Sequence, residues 1–226
     1  LLTTGISTFS HATTAVKLTT KIWPPYHYFD SQEKLTGESV EVIKCAFNKI
    51  DTPLEIQVLP WARAQQQVKI NNADGFFSAS WNEKRDQYAV RTTDIAEQKW
   101  TWFYLDPSID PNSIEFKENT EVAATNGSNI ANWLDANDYK LKNIVSETEN
   151  LIQMLIKNRI EIFMGNELVV EKMMEEQNLN ADFIKSTARS MPVGIYFSKY
   201  FLKSQNPDFM PLLNNAITDC RYDNDR

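Results

Sequence analysis

Histidine and cysteine are scarce in this chain: only His11 and His27, Cys45 and Cys220, among 226 residues. No cluster of such ligands falls at metal-binding spacing. A nucleophile elbow for a Ser-His-Asp triad is missing, as are a phosphate loop and a dinucleotide fingerprint. Acidic residues are plentiful, but no pattern singles out a catalytic pair. No catalytic residue, metal or cofactor is therefore assigned. A basic excess is lacking too: the net charge is −7 and the pI about 5.0. That balance disfavours nucleic acid and anionic membrane, which both require a basic face. Nor does any stretch approach the roughly 18 continuous apolar residues of a membrane-spanning helix.

What is present reads as globular. Apolar residues make up 42% and charged residues 23%, enough over this length for one large domain or two small ones. Residues 1–15 carry no charged side chain and are rich in small ones, as in the tail of a secretory leader. Ser10-His11-Ala12 or Thr13-Thr14-Ala15 would suit cleavage. Two cysteines fit an oxidising compartment. Cys220 lies on an amphipathic stripe with Phe209, Leu212, Leu213 and Ala216, whereas Cys45 lies off the Val40, Ile43, Phe47, Ile50 stripe. A free buried cysteine belongs on such a stripe. The pattern favours a Cys45–Cys220 bridge over two unpaired thiols.

The most informative stretch runs from Gly75 to Ala89. An apolar strand meets a polar step, Ser78-Ala79-Ser80, then a turn at Trp81-Asn82 and a short charged helix carrying Arg85. Hydroxyls, free N–H groups at a helix start and a planar guanidinium together form a carboxylate receptor. Before it, periodicity predicts strand 16–23, helix 39–50, strand 54–59 and a helix from Trp61 to Ile70. Pro24-Pro25 ends the first strand and leads into Tyr26-His27-Tyr28, where Trp23, Tyr26 and Tyr28 are candidates for ligand contact. This order implies parallel strands with right-handed crossovers and a ligand site beyond their carboxyl ends. Lys99–Leu105 reads as a strand leaving the first half at Asp106-Pro107. A second β-α-β run starts at Glu121. It includes a Gly127-Ser128-Asn129 turn suited to an anion at a helix start, a capping box at Ser146–Glu149, and a strand ending near Asn166. Met191–Phe197 returns the chain to the first half, and Asn206–Cys220 closes it.

With these residues in hand, the chain resembles the periplasmic solute-binding proteins of ABC transporters, specifically the polar amino-acid-binding group. The likeness covers most of residues 17–220. It rests on Trp23-Pro24-Pro25-Tyr26 with Gly37, on Pro60-Trp61-Ala62-Arg63 with Ala73-Asp74-Gly75, and on Ser78 through Arg85 with Tyr88-Ala89. The resemblance implies an α/β, two-lobed type II periplasmic-binding fold, each lobe a mostly parallel sheet flanked by helices, joined by two hinge crossovers. Lobe 1 would hold residues 16–104 and 193–226, lobe 2 residues 105–192. It implies that Arg85 grips a ligand carboxylate, with Ser78 and Ser80 beside it and Gly127, Ser128 and Asn129 opposite. Trp81 and Asn82 join the expected contacts, although Asn82 stands where the family has threonine. Asn166 stands where many members place an aspartate for the α-ammonium; a neutral amide offsets that charge poorly.

The expectation is a periplasmic, monomeric, non-enzymatic protein that closes on a small carboxylate-bearing ligand. Its partner would be an inner-membrane ABC permease or receptor, not nucleic acid. Rival readings are a dehydratase-like enzyme using Glu167 or His27, and a sensor that presents its closed form to a membrane receptor.

Overall fold

A computed structural model of the chain describes residues 14–179 and 181–224. Residues 1–13 of the leader-like stretch 1–15 lie outside that range. Strand β1 (Val16–Thr20) ends earlier than its pattern predicts, because Trp23 and His27 exchange backbone hydrogen bonds (2.8 and 3.1 Å) across the Pro24-Pro25 turn. A two-residue-per-strand hairpin, β2 (Tyr28–Phe29) with β3 (Leu35–Thr36), delivers the chain to Gly37. Gly37 has φ 119°, and a Cβ there would lie 2.6 Å from the Tyr26 carbonyl oxygen, so only glycine fits. Helix α1 (Glu38–Lys49), strand β4 (Leu54–Val58), helix α2 (Trp61–Lys69) and strand β5 (Gly75–Ser80) follow. Asn82 caps the short helix α3 (Glu83–Asp86), and β6 (Ala89–Ala96) completes this run.

The chain crosses at Glu97-Gln98 into β7 (Lys99–Tyr104). It continues through α4 (Ile114–Asn119), β8 (Glu121–Thr125), α5 (Asn129–Ala136), β9 (Lys140–Val145), α6 (Thr148–Ile156), β10 (Ile162–Asn166), α7 (Glu167–Glu176) and β11 (Ile184–Ser190). Met191-Pro192 leads back to β12 (Val193–Ser198), α8 (Lys199–Ser204) and α9 (Phe209–Asn224). The capping box expected at Ser146 does not form: Glu147 holds the cap position of α6 and makes no side-chain cap bond.

Two five-stranded sheets result, ordered β4-β1-β5-β12-β6 and β11-β7-β10-β8-β9. In each, one strand opposes the other four: β12 is antiparallel to β5 and β6, and β7 to β10 and β11. Those two strands are the ones into which the crossovers lead. Lys99–Tyr104, assigned to the first half from sequence, pairs in the second sheet, between β10 and β11. Each sheet is covered on both faces by apolar clusters. In the first half, Leu18, Ile43, Phe47, Ile195 and Phe197 are wholly or nearly wholly buried. Leu168 and Val169 of α7 pack against this same cluster, tying the halves together beside the crossovers.

Candidate ligand-binding site

A cleft of about 370 Å³ opens between the two sheets. Its walls come from the carboxyl ends of β1, β5, β8 and β10, where parallel strands leave backbone groups unpaired. The first-half wall carries Lys21, Trp23, Trp61, Ser78, Ser80 and Arg85. The second-half wall carries Trp100, Thr125, Ser128, Asn129, Thr148 and Asn166, among others.

Arg85 is held rigidly. Its Nε donates to Gln65 Oε1 (3.2 Å) and Nη1 to the Ser80 carbonyl (2.7 Å). Its guanidinium carbon lies 5.5 Å from the Trp61 ring centroid and 5.9 Å from those of Phe76 and Tyr196. Phe76 and Tyr196 stack at 5.3 Å, forming the platform beneath it. Asp86, next in sequence, is drawn away: it accepts from Trp81 Nε1 (2.9 Å) and from the Tyr196 hydroxyl (3.2 Å). Arg85 has no carboxylate within ion-pair distance among the described residues, and burial pulls its pKa below the ordinary arginine value. Lys21 shares this condition. Its Nζ sits 4.7 Å from the Trp23 ring and 5.9 Å from the Trp61 ring, with no hydrogen bond or ion pair among the described residues. Burial lowers its pKa as well.

Ser78 is the irregular point of β5. Its φ is +55°, and its hydroxyl, on a residue 6% exposed, has no hydrogen-bond partner among the described residues. Between the pairs Gly194↔Ala79 and Tyr196↔Phe76, two residues of β5 face the single Ile195, so Ser78 occupies a bulge that re-aims it into the cleft.

Across the cleft, Gly127 takes φ +65° and Ser128 caps α5, its Oγ accepting from the Ala131 N–H (3.0 Å). The positive end of that helix faces the cavity. The Thr125 and Thr148 hydroxyls lie 3.3 Å apart. Asn166 is engaged at both ends of its amide: Oδ1 accepts from the Val169 N–H (3.2 Å), capping α7, and Nδ2 donates to the Tyr26 hydroxyl (3.3 Å). Tyr26 in turn donates to the Glu97 carbonyl (2.9 Å), and burial pushes its phenol well above the ordinary tyrosine range.

Of the residues named from sequence, Trp23, Ser78, Ser80, Arg85, Gly127, Ser128, Asn129 and Asn166 line the cleft. Four do not. Tyr26 is wholly buried behind it, bracing the crossover. Tyr28 belongs to the β2–β3 hairpin. Trp81 is 65% exposed, turned outward by its bond to Asp86. Asn82 spends its side-chain Oδ1 on the Lys84 N–H as the α3 cap. Lys21, Trp61, Gln98, Trp100, Thr125 and Thr148 were missed. Lys21 carried one legible signal: a lone cation just past a strand end, beside Trp23. Cys45 and Cys220 form a disulfide with Cα atoms 6.0 Å apart, joining α1 to α9.

The model of one family, the bacterial extracellular solute-binding proteins of family 3, matches residues 16–225. This chain belongs to that family. No curated protein sequence matches it. Among solved structures, the second substrate-binding domain of GlnP from Lactococcus lactis, in open conformation, gives a TM-score of 0.71 at 17% identity, covering 96% of this chain and 93% of that one. The second substrate-binding domain of a putative amino acid ABC transporter from Streptococcus pneumoniae gives 0.70 at 17%, covering 93% and 95%. ArtJ, the arginine-, lysine-, histidine-binding protein of Geobacillus stearothermophilus, gives 0.64 at 13%, covering 94% and 91%. At such identities the likeness establishes the two-lobed type II fold.

As a family 3 solute-binding protein the chain is a binding protein, not an enzyme. Both residues considered for acid–base work are engaged elsewhere. His27 is wholly buried beside Phe77, its pKa pushed down to about 4, chiefly by burial. Glu167 accepts from the Thr101 hydroxyl (2.9 Å) and pairs with Lys185 (3.4 Å). Among the described residues no helix is long and apolar enough to cross a membrane, and no three acidic, histidine or cysteine side chains gather as a metal site would require.

Proposed function

We propose that this protein captures a small carboxylate-bearing solute between its two halves and delivers it, closed, to an inner-membrane ABC permease. The observation that carries this reading is Arg85: a half-buried, rigidly aimed guanidinium in the cleft, with a free Nη2 edge and no carboxylate among the described residues to neutralise it. A ligand carboxylate supplies the missing charge. The Ser78 hydroxyl and the start of α5 complete its shell from opposite walls, which favours closure. The likeness to the substrate-binding domain of a putative amino acid ABC transporter from Streptococcus pneumoniae supports a transport role. The Cys45–Cys220 bridge supports a periplasmic location. The first lobe is taken as 16–96 with 193–224, the second as 99–190.

One neighbour favours a second reading. A histidine kinase sensor domain with similarity to periplasmic binding proteins gives a TM-score of 0.68 at 15% identity, covering 94% of this chain and 92% of that one. In that reading the closed form is presented to a membrane receptor.

Isothermal titration against amino acids and small organic acids tests the assignment. Hydrogen bonds to charged groups are worth about 1.5–3 kcal/mol, so Arg85→Ala lowers affinity tenfold or more while the melting profile of the unliganded protein stays intact. Equal affinity for the same ligand in both proteins sinks it.

A further inference from the structure

We infer that the ligand is a small dianion, of the class of short-chain dicarboxylates without an ammonium group, and that Lys21 binds its second anionic end. This rests on the carboxylate reading of Arg85 and goes beyond it. Two cations, Lys21 and Arg85, line the cleft, and none of its described lining residues is acidic. Both cations approach the same Trp61 ring, Lys21 at 5.9 Å and Arg85 at 5.5 Å, so one short molecule reaches both. Each is partly buried without a protein counter-ion among the described residues, an unfavourable state that a dianion relieves at both ends.

A zwitterion would neutralise one cation and bring a third positive charge into the same space. Among the described lining residues no carboxylate stands ready for that charge. Asn166 has its oxygen committed to Val169 and its amide nitrogen to Tyr26. Glu167, the adjacent acid, is tied to Thr101 and Lys185. The fixed dipoles point the same way, since α5 turns its positive end to the cavity and the buried Ser78 hydroxyl is free to donate. Between the charged walls lie Trp23, Trp61, Trp100, Ile130, Met164 and Val169, which suit a short apolar linker between two anionic ends.

The test is calorimetry with succinate, glutarate, glutamate, glutamine and butyrate on the wild type, Lys21→Met and Arg85→Ala. Methionine keeps the packing of the stem over Trp23 and removes only the charge. The expected result is a dicarboxylate bound at least tenfold tighter than glutamine or butyrate, with Lys21→Met collapsing that ratio by weakening the dicarboxylate. Glutamine matching the best dicarboxylate, no dicarboxylate binding at millimolar concentration, or a ratio untouched by Lys21→Met each overturn the inference. Arg85→Ala separates the two levels. If it weakens every carboxylate while Lys21→Met changes nothing, the dianion is wrong and the carboxylate site stands. If neither variant weakens binding, both readings fall.

Discussion

Ser78 shows how a local departure from regular backbone builds a binding wall. A left-handed φ on a residue with a side chain costs on the order of 1 kcal/mol, and a buried hydroxyl without a partner adds to it. The bulge opposite Ile195 holds this arrangement in place. Ser78→Gly therefore leaves the melting temperature of the empty protein level or raised, while ligand affinity drops; Ser78→Val, β-branched at positive φ, lowers the melting temperature. Thermal denaturation with and without ligand checks both. A marked loss of stability in the glycine variant would contradict the strain. His27 makes a second prediction. Its folded pKa, about 4, lies below the ordinary 6.5, so the unfolded chain binds the extra proton first. Its contribution to stability is complete above pH 6.5 and is lost as pH falls through about 4, by roughly 3 kcal/mol in all. Lys21, whose charge also opposes protonation, is the neighbouring cation, and Thr20 and Phe77 complete the contact. Urea midpoints measured from pH 7 to pH 4 fall more steeply in the wild type than in His27→Gln. Parallel profiles would remove His27 from the account.

Among the elements, the pairing of α1 with α9 has the clearest energetic consequence. The Cys45–Cys220 bridge closes a sequence separation of 175 residues, tying the last helix to the first. In the chain-entropy account such a closure contributes about 5 kcal/mol, and measured bridges give about 2–5. The double variant Cys45→Ala, Cys220→Ala loses stability in that range in urea titration, and a thiol reductant lowers the wild-type midpoint without moving the variant's. A midpoint indifferent to reductant would mean that the helix packing suffices alone. The elements themselves were largely legible. Period-3.6 stripes marked α1, α2 and α9, and apolar runs marked β1, β4, β5 and β7, because burying one face imposes its spacing on the chain. The elements that escaped notice were β6, β11, the β2–β3 hairpin and the short helices α4 and α8. β6 and β11 lie at sheet edges, and β11 is mostly half-exposed or exposed, which leaves a faint pattern of side chains.

For the molecule as a whole, the informative feature is the pair of two-residue crossovers lying side by side. Met191 N–H donates to the Gln98 carbonyl (2.6 Å), and the Ser190 hydroxyl meets the Glu97 carboxylate. The Gln98 side chain, oriented to satisfy both its ends, links Met191 O (3.2 Å) to Trp100 Nε1 (3.1 Å). Strand order in both sheets follows from where these segments cross, and so does the convergence of Ser78, Ser80 and Arg85 on Thr125 and Asn166. Residue order alone was enough to establish an α/β chain and a polar step feeding a charged helix that carries Arg85, because each of these depends on neighbours a few positions away. It was not enough to sink Tyr26 behind the wall, to move Lys99–Tyr104 into the second sheet, or to bring Lys21 over the same ring as Arg85. Those outcomes depend on contacts between residues tens to well over a hundred positions apart, and such contacts exist only after both sheets have closed around their cores.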